Sequence, residues 1–376
     1  MSKHWDFYKM GIDMSRAFDT IKRSKILDVL YQAGCNEDEL RLVRILLAGT
    51  KLNVRVGSTY SADVETTIGS PQGDSLSPVL FTCYLASALA SIRSHSTRPN
   101  PPVSRLGIPL EMEYADDVDF IDEEKATLER LLPVAANNLK DSNLFVNEAK
   151  TEYTHVYLAD TIEKDEDEKP LRGHEEWRKS KTLGSLLCSS ADIAARCTMG
   201  NIAFRSLWKI WIRRSKIPLE KKLLLYNATC VSIMLYNCNS WAAPQTVLDK
   251  LDACHRKHLR TITGHRWPNS LISNNALYKL CNTGPLSTKV KQARWTMFGH
   301  VLRMPTNTPA QQALEFALIG SNTYKARKGR HCKNLLGLLR ADLKERGLGP
   351  LRSERKLREL RELAMNRTKW KELKKD

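Results

Sequence analysis

Asp116 and Asp117 stand together where one alternating apolar run ends and another begins. Leu110, Met112 and Tyr114 lead into Ala115-Asp-Asp117, and Val118 and Phe120 lead out. Alternation with a period of two puts one face of an extended segment against a core. Two such runs joined by a short turn make a β-hairpin, here with acids at its tip. A lone hairpin is marginal in water, so the rest of the chain must add strands and a helical cover. Residues 7–13 (Phe-Tyr-Lys-Met-Gly-Ile-Asp) read as another short strand, ending at Asp13. If that strand pairs with the hairpin, three carboxylates come together. Clustered carboxylates are costly unless cations compensate them, and hard oxygen ligands suit Mg²⁺. By itself an Asp-Asp pair is equally what a solvated turn looks like.

The elements around these strands follow from periodicity and caps. Ser24 caps a helix whose apolar face is Ile26, Leu27, Leu30 and Tyr31, and Gly34 stops it. Asn36 and Glu39 make a capping arrangement for a second helix that runs to about Ala48. Leu52, Val54 and Val56 alternate as a strand that turns at Gly57-Ser-Thr-Tyr60. Gly69-Ser-Pro-Gln-Gly-Asp-Ser-Leu-Ser-Pro78 is a loop of turn formers that opens an apolar helix, Val79 to Ala90. A helix over roughly 124–141 and short strands at Leu144–Val146 and Tyr153–Tyr157 complete the front half. Thr161–Glu168 is an acidic linker, and the main boundary falls between it and Leu186. Beyond it the pattern is helical: around 189–213, 219–237, 245–263, 288–303 and 333–345, then a charged helix from Leu351 with little apolar surface.

Charge divides the chain at about the same place. The formal net charge is +17 over 376 residues. Residues 1–170 carry about −9 and residues 171–376 about +26. An acidic front joined to a basic back suits a metal-binding half joined to a polyanion-binding half; the bland alternative is a lysine-rich solvated surface. Trp208, Trp211, Arg213, Arg214 and Lys216 interleave aromatic and basic groups, which suits stacking and phosphate contact, although the tryptophans equally suit a core. The nine cysteines are odd in number and contain no C-x-x-C, so reduced thiols are expected rather than a disulfide framework. Cys254, His255, His258 and His265 crowd together without zinc-knuckle spacing. No run of eighteen apolar residues and no apolar signal core occurs, which points to a soluble intracellular protein without a membrane span.

Five segments, in order, carry a family resemblance. Ile12-Asp-Met-Ser-Arg-Ala-Phe-Asp19 resembles the first palm motif of non-LTR retrotransposon and group II intron reverse transcriptases. Ser70-Pro-Gln-Gly-Asp-Ser-Leu-Ser-Pro-Val-Leu-Phe81 resembles the second, Tyr114-Ala-Asp-Asp117 the third, Leu144-Phe-Val-Asn-Glu-Ala-Lys-Thr-Glu152 the fourth, and Lys181-Thr-Leu-Gly184 the primer grip. Arg294-Trp-Thr-Met-Phe-Gly-His-Val-Leu-Arg303 is similar to the C-terminal region of endonuclease-encoding elements of this group. The resemblance implies an α+β palm over residues 1–170, with an antiparallel sheet and helices on one face. It implies a helical thumb over 171–240 and a basic helical C-terminal region over 241–376.

The same resemblance implies the chemistry: RNA-templated DNA synthesis by attack of a primer 3′-hydroxyl on a dNTP, with Mg²⁺ or Mn²⁺. Asp13 and Asp116 would bind metal and Asp117 would support them, while Asp19 is structural. Phe18 would lie under the sugar of the incoming nucleotide, or else serve only as a core aromatic. Gln72 and Gly73 would contact template and nucleotide, and Lys150 would protonate the leaving pyrophosphate. Tyr114 would pack beneath the primer terminus or else fill the sheet face, and Leu183 and Gly184 would shape the primer grip. Arg213, Arg214 and Lys216, read from their basic character rather than from the resemblance, are candidates for primer or template phosphates. Only twelve residues precede Asp13, too few for the family's fingers or for an N-terminal endonuclease. The chain is therefore expected to be weak or inactive alone, unless a partner supplies fingers. The alternative is a catalytically silent derivative that binds RNA or DNA through its basic half.

Overall fold

The computed structural model describes residues 7–71, 73–95, 110–156, 180–212, 216–265, 270, 272–319, 335–349 and 353–373. The chain divides into two compact units, Met1–Glu176 and Trp177–Asp376.

In the first unit the elements run β1 (Phe7–Ile12), β2 (Met14–Ser15), α1 (Ala17–Thr20), α2 (Arg23–Gln32) and α3 (Glu37–Leu47). Four two-residue strands follow: β3 (Lys51–Leu52), β4 (Arg55–Val56), β5 (Thr59–Tyr60) and β6 (Val64–Glu65). Then come α4 (Ser77–His95), β7 (Glu111–Tyr114), β8 (Asp117–Asp122), α5 (Lys125–Asp141), β9 (Phe145–Val146) and β10 (Glu152–Val156). Four strands form an antiparallel sheet in the order β10-β1-β8-β7. Alternation sends Met10, Ile12, Val118 and Phe120 to one face, where they join Leu80, Phe81, Tyr84 and Leu85 of α4 and Leu128, Leu131 and Ala135 of α5 in one core. The opposite face carries Lys9, Gly11, Asp117 and Asp119, so the acids lie away from the apolar side by parity alone.

The capping arrangement expected at Asn36 is present. Asn36 Oδ1 accepts from the Glu39 amide at 2.9 Å, and Glu39 Oε2 accepts from the Asn36 amide at 2.8 Å. Ser24 does not cap α2: the helix starts one residue earlier, at Arg23, whose side chain is tied to the loop that follows α3. The strand expected over Leu52–Val56 is instead two small ladders, β3 with β6 and β4 with β5. Leu52, Val54 and Val56 remain more than half exposed, so their alternation has no core to face.

The described residues of the second unit begin with a hairpin, β11 (Lys181–Thr182) and β12 (Ser185–Leu186), and the elements after it are helices. Its helices are α6 (Ser189–Ser206), α7 (Trp208–Ile212), α8 (Leu219–Tyr226), α9 (Ser232–Met234) after a π turn at Asn227–Val231, α10 (Gln245–Thr263) and α11 (Asn274–Leu280). They continue with α12 (Leu286–Leu302), α13 (Pro309–Ile319), α14 (Leu335–Glu345), α15 (Glu354–Met365) and α16 (Arg367–Glu372). One core runs from Ile193 to Val290 and includes Trp211, Tyr226, Trp241 and Leu259. A second gathers Trp295, Phe298, Leu339, Leu343, Leu357, Leu360 and Trp370. The tail is thus two helices rather than one, because Asn366 caps α16 by accepting from the Lys369 amide at 3.0 Å. It also has an apolar face that closes the second core. No helix among the described residues is long and apolar enough to cross a membrane.

Candidate active site

The sheet register decides where the acids fall. Ile12 of β1 pairs with Val118 of β8, and Tyr114 pairs with Asp117 across the hairpin. One further step along the first register sets Asp13 beside Asp117, with Asp116 in the adjoining two-residue turn. Directly opposed residues in antiparallel strands have Cβ atoms roughly 4.5–5.5 Å apart. The turn is bought with strain: Ala115 has φ +53°, a left-handed conformation costly for a residue with a side chain. The Asp117 carboxyl is held above the usual carboxylate range, first by partial burial and then by the charges of Asp116, Asp119 and Asp13. Lys9 acts in the opposite sense.

Lys9 and Asp119 lie on the same face as these acids. Lys9 Nζ meets Asp119 Oδ1 at 2.8 Å, and both side chains are largely buried. Gly11 makes room for the pair, since a Cβ there would stand 3.0 Å from Asp119 Oδ1. Lys150 reaches Asp13 by another route. β2 pairs with β9, and the Asn147 amide donates to the Asp13 carbonyl at 2.8 Å. That ladder brings the one-turn helix Glu148–Lys150 alongside, with Lys150 Nζ 3.3 Å from Asp13 Oδ2. Both side chains are well exposed, so this pair contributes little stability.

The Gly69–Pro78 loop is pinned to α1. The Gly69 amide donates to Ile21 O at 2.8 Å and the Ser70 amide to Phe18 O at 2.9 Å. Gly69 has φ +78°, and a Cβ there would stand 2.8 Å from the Asp19 carbonyl, so the close approach requires glycine. Ser70 Oγ donates to Ser77 Oγ at 2.7 Å, and Ser77 Oγ to Pro71 O at 2.6 Å, which fastens the loop to the start of α4. Arg23 completes the mounting. Its guanidinium donates to the carbonyls of Leu47 (2.7 Å), Thr66 (2.6 Å), Gly69 (3.0 Å) and Ile68 (3.3 Å), and to Thr66 Oγ1 at 2.9 Å. Gly73 has φ +90° with open space around it, so its demand is conformational. Phe18 is half-buried and stacks on Phe81 with centroids 4.2 Å apart. Tyr114 is exposed at the rim of the hairpin. Gln72 lies outside the described residues.

The hairpin β11–β12 turns at Leu183 and Gly184, both at positive φ. Its turn is clamped from within its own unit. Tyr236 donates to Leu183 O at 2.9 Å, Arg196 donates to Gly184 O, and Asp192 Oδ1 accepts from the Leu186 amide at 3.0 Å. The Arg196 guanidinium lies 4.3 Å from the Tyr236 ring centroid, and Asp192 Oδ2 takes the Trp241 indole N–H at 2.8 Å. Lys216 is exposed, and Arg213 and Arg214 lie outside the described residues. Trp211 is core, with its Nε1 donating to Phe204 O at 2.7 Å, whereas Trp208 is 39% exposed.

His255 and His258 are core residues. Tyr226 OH lies 2.9 Å from His255 Nδ1 and 3.3 Å from His258 Nδ1, and His258 Nε2 donates to Asn201 Oδ1 at 2.8 Å. Burial pulls their pKa values down to about 3 and about 4. Arg294-to-Arg303 is the spine of the second core: Arg294 binds Asp342 through two bonds of 2.8 and 3.0 Å, and Trp295 and Trp370 stack at 4.3 Å. Among the described residues no group of three His, Cys, Asp or Glu side chains is arranged to hold a metal ion. At the sheet end, then, the fit to a divalent cation is one of donor type and negative charge: hard carboxylate oxygens, mutually repelling, with Lys150 on Asp13 and Lys9 on Asp119.

Residues 5–186 match the family described as reverse transcriptase (RNA-dependent DNA polymerase). The relatives are of the non-LTR retrotransposon kind. One is the retrovirus-related Pol polyprotein from type-1 retrotransposable element R2 of Popillia japonica, 27% identical over 38% of this chain and 20% of its own length. Another is the probable RNA-directed DNA polymerase from transposon X-element of Drosophila melanogaster, 25% identical over 63% of this chain and 26% of its own length. The chain thus spans about a fifth to a quarter of these relatives. Apo telomerase from Candida tropicalis overlays 78% of this chain and 47% of its own at 13% identity and a TM-score of 0.39, a likeness too slight to bear on the fold.

Proposed function

We propose that this chain is the catalytic portion of a retrotransposon RNA-directed DNA polymerase. In this reading residues 1–170 are the palm, 171–240 the thumb and 241–376 a basic C-terminal region. What supports the proposal is the sheet register, which runs Asp13 and Asp117 to the same end of the sheet with Asp116 in the adjoining turn, within the segment that matches the family. Asp13 and Asp116, supported by Asp117, would hold divalent cations, Mg²⁺ or Mn²⁺. Ions held there would supply Lewis-acid chemistry, easing ionisation of a primer 3′-hydroxyl and stabilising a departing pyrophosphate.

The remaining roles belong to the protein's own groups. Lys150 already sits beside Asp13, where an ammonium can deliver a proton to a leaving oxygen. Phe18, which stacks on Phe81, would lie under the nucleotide sugar. Gln72 and Gly73 offer loop backbone and an amide to template and nucleotide. Tyr114 and the Leu183-Gly184 turn carry the primer, and Arg213, Arg214 and Lys216 the template phosphates. The RNA template, DNA primer and dNTP are the substrates this reading requires.

A second reading, a nucleic-acid binder without polymerase activity, is favoured by the charge of about +26 on residues 171–376. Primer extension on an RNA template with the full chain separates the two. Template-dependent extension that needs Mg²⁺ or Mn²⁺ and is lost in Asp13→Ala and Asp116→Ala supports the enzyme. Binding without extension under any of these conditions supports the binder. Extension that survives both substitutions refutes the assignment of the acids.

A further inference from the structure

The second unit contains a cavity of about 650 Å³ between α6, α7 and α10. None of the roles above uses it. Four cations line it: Arg205 from α6, and the neighbouring Arg256 and Lys257 with Arg260 one turn further along α10. No Asp or Glu is among the lining residues. Four like charges around one concavity repel each other, and without an anionic occupant the arrangement costs free energy. Two of the cations are held in place: Arg260 donates to Ile272 O at 3.0 Å and to Asn274 Oδ1 at 2.9 Å, and Arg256 reaches Tyr278 OH at 3.4 Å. Arg205 and Lys257 are exposed.

Aromatic surface completes the lining. Phe204 and His258 form the floor, stacked at 4.0 Å and only 5° from parallel, and Trp208 stands at the wall, 39% exposed. His258 is held neutral by burial, so the floor is apolar while the rim is cationic. The volume lies in the range of sites that enclose a small ligand, rather than that of a flat surface laid against a duplex. A rim that neutralises phosphate and a wall that stacks a π-face is the combination used for unpaired nucleotides. A base paired within a duplex has no face to offer such a pocket.

We propose that this cavity is a binding site for a single-stranded polynucleotide, with its phosphodiesters on Arg205, Arg256, Lys257 and Arg260 and one base against Trp208. The proposal rests on the reading of this chain as a nucleic-acid-handling protein and adds a site to it. Either RNA or DNA could provide the strand.

The test measures binding of labelled oligouridylate, oligothymidylate and a duplex of equal length to the full chain across a range of salt. Arg205→Ala with Lys257→Ala should weaken single-strand binding at least tenfold and reduce the slope of log K against log salt by about 1.4, roughly 0.7 for each lost phosphate contact. Trp208→Ala should weaken it roughly ten- to hundredfold with little change in slope, and Trp208→Phe should restore most of the loss. A strand carrying 5-iodouracil should photocross-link to Trp208. The comparison of oligouridylate with oligothymidylate tells which strand the site prefers. The control is Arg358→Ala with Lys371→Ala, which removes equal charge from α15 and α16. Equal losses in the control and pocket variants, or equal losses for duplex and single strand, overturn the proposal while leaving general nucleic-acid binding intact. Absence of any polynucleotide binding by the wild-type chain at low salt would overturn the underlying reading as well.

Discussion

Replacing Arg23 with methionine tests whether the mounting of the Gly69–Pro78 loop is what the structure indicates. The side chain keeps its apolar stem and loses a fork that serves four backbone carbonyls. Three of these bonds, to Leu47, Thr66 and Gly69, are 3.0 Å or shorter. Net worth is about 1 kcal/mol for a bond that water can partly replace, so the loss is about 3 kcal/mol. For a unit of this size each kcal/mol lowers the melting temperature by roughly 2–4 °C, which gives a drop of roughly 6–12 °C. Thermal unfolding of the full chain, read with hydrogen exchange over residues 66–77, measures both the magnitude and its location. Arg23→Lys keeps the charge but has no fork, and should recover less than half of the loss. If the loop serves nucleotide binding as proposed, KM for dNTP rises more than kcat falls. An Arg23→Met chain that melts within about 1 °C of wild type, with unchanged exchange over the loop, would refute the reasoning.

Gly69→Ala should destabilise the first unit by more than about 1 kcal/mol in denaturant titration, because φ is positive there and the Cβ meets the Asp19 backbone. Gly299→Ala should cost about 1–3 kcal/mol and disturb the near-ultraviolet circular dichroism of the stacked tryptophans, since its Cβ would stand 2.2 Å from Trp370 Nε1. His255 and His258 are neutral in the fold but take up protons below about 6.5 when unfolded, so the unfolded state binds more protons from there down to about 3–4. Stability therefore falls as pH falls through this window, by about 4 kcal/mol between pH 8 and pH 5 for the pair; a flat urea midpoint over that range would contradict their burial as neutral groups.

Much of this was legible in the sequence because local rules and tertiary demands coincide there. The alternation on either side of Asp116 and Asp117 gave the hairpin, and the capping residues Asn36 and Glu39 sit at the start of α3. The reading failed where a pattern lacked a tertiary partner or had one out of view. Leu52, Val54 and Val56 alternate but face solvent, and the tail's charge concealed Leu357, Leu360 and Trp370, which close a core. Arg23, Asp192 and Arg196 gave no signal: each acts through backbone groups distant in sequence or through a turn whose clamp depends on folding. The nearest clue was Arg23 at a helix start, where a cation is disfavoured by the helix dipole and so needs another reason to be there.

These unsignalled residues bear on how the functional motifs should be probed. In the proposed reading the segments that carry the family pattern would supply reactive or contacting groups, while side chains outside them hold those segments in shape. Arg23 fixes the second motif through carbonyls at its own edge and upstream of it, and Asp192 and Arg196 fix the Leu183-Gly184 turn from α6. Within the sheet the equivalent device is Lys9, four residues before Asp13, with Asp119, two residues after Asp117, and Gly11 leaves space for the pair. A buried ion pair broken by removal of one partner leaves an uncompensated charge, so Lys9→Met alone should be far worse than the Lys9→Met/Asp119→Leu double substitution. Asp117 feels both partners: Lys9 lowers its pKa and Asp119 raises it. Loss of Lys9 alone should therefore push the Asp117 carboxyl further toward its neutral form, and activity at a fixed metal concentration should recover toward higher pH. Loss of Lys9 and Asp119 together removes opposing influences and should leave the pH profile near that of wild type. A double substitution that shifts the profile as far as the single one would mean that the pair does not act on the acids through charge.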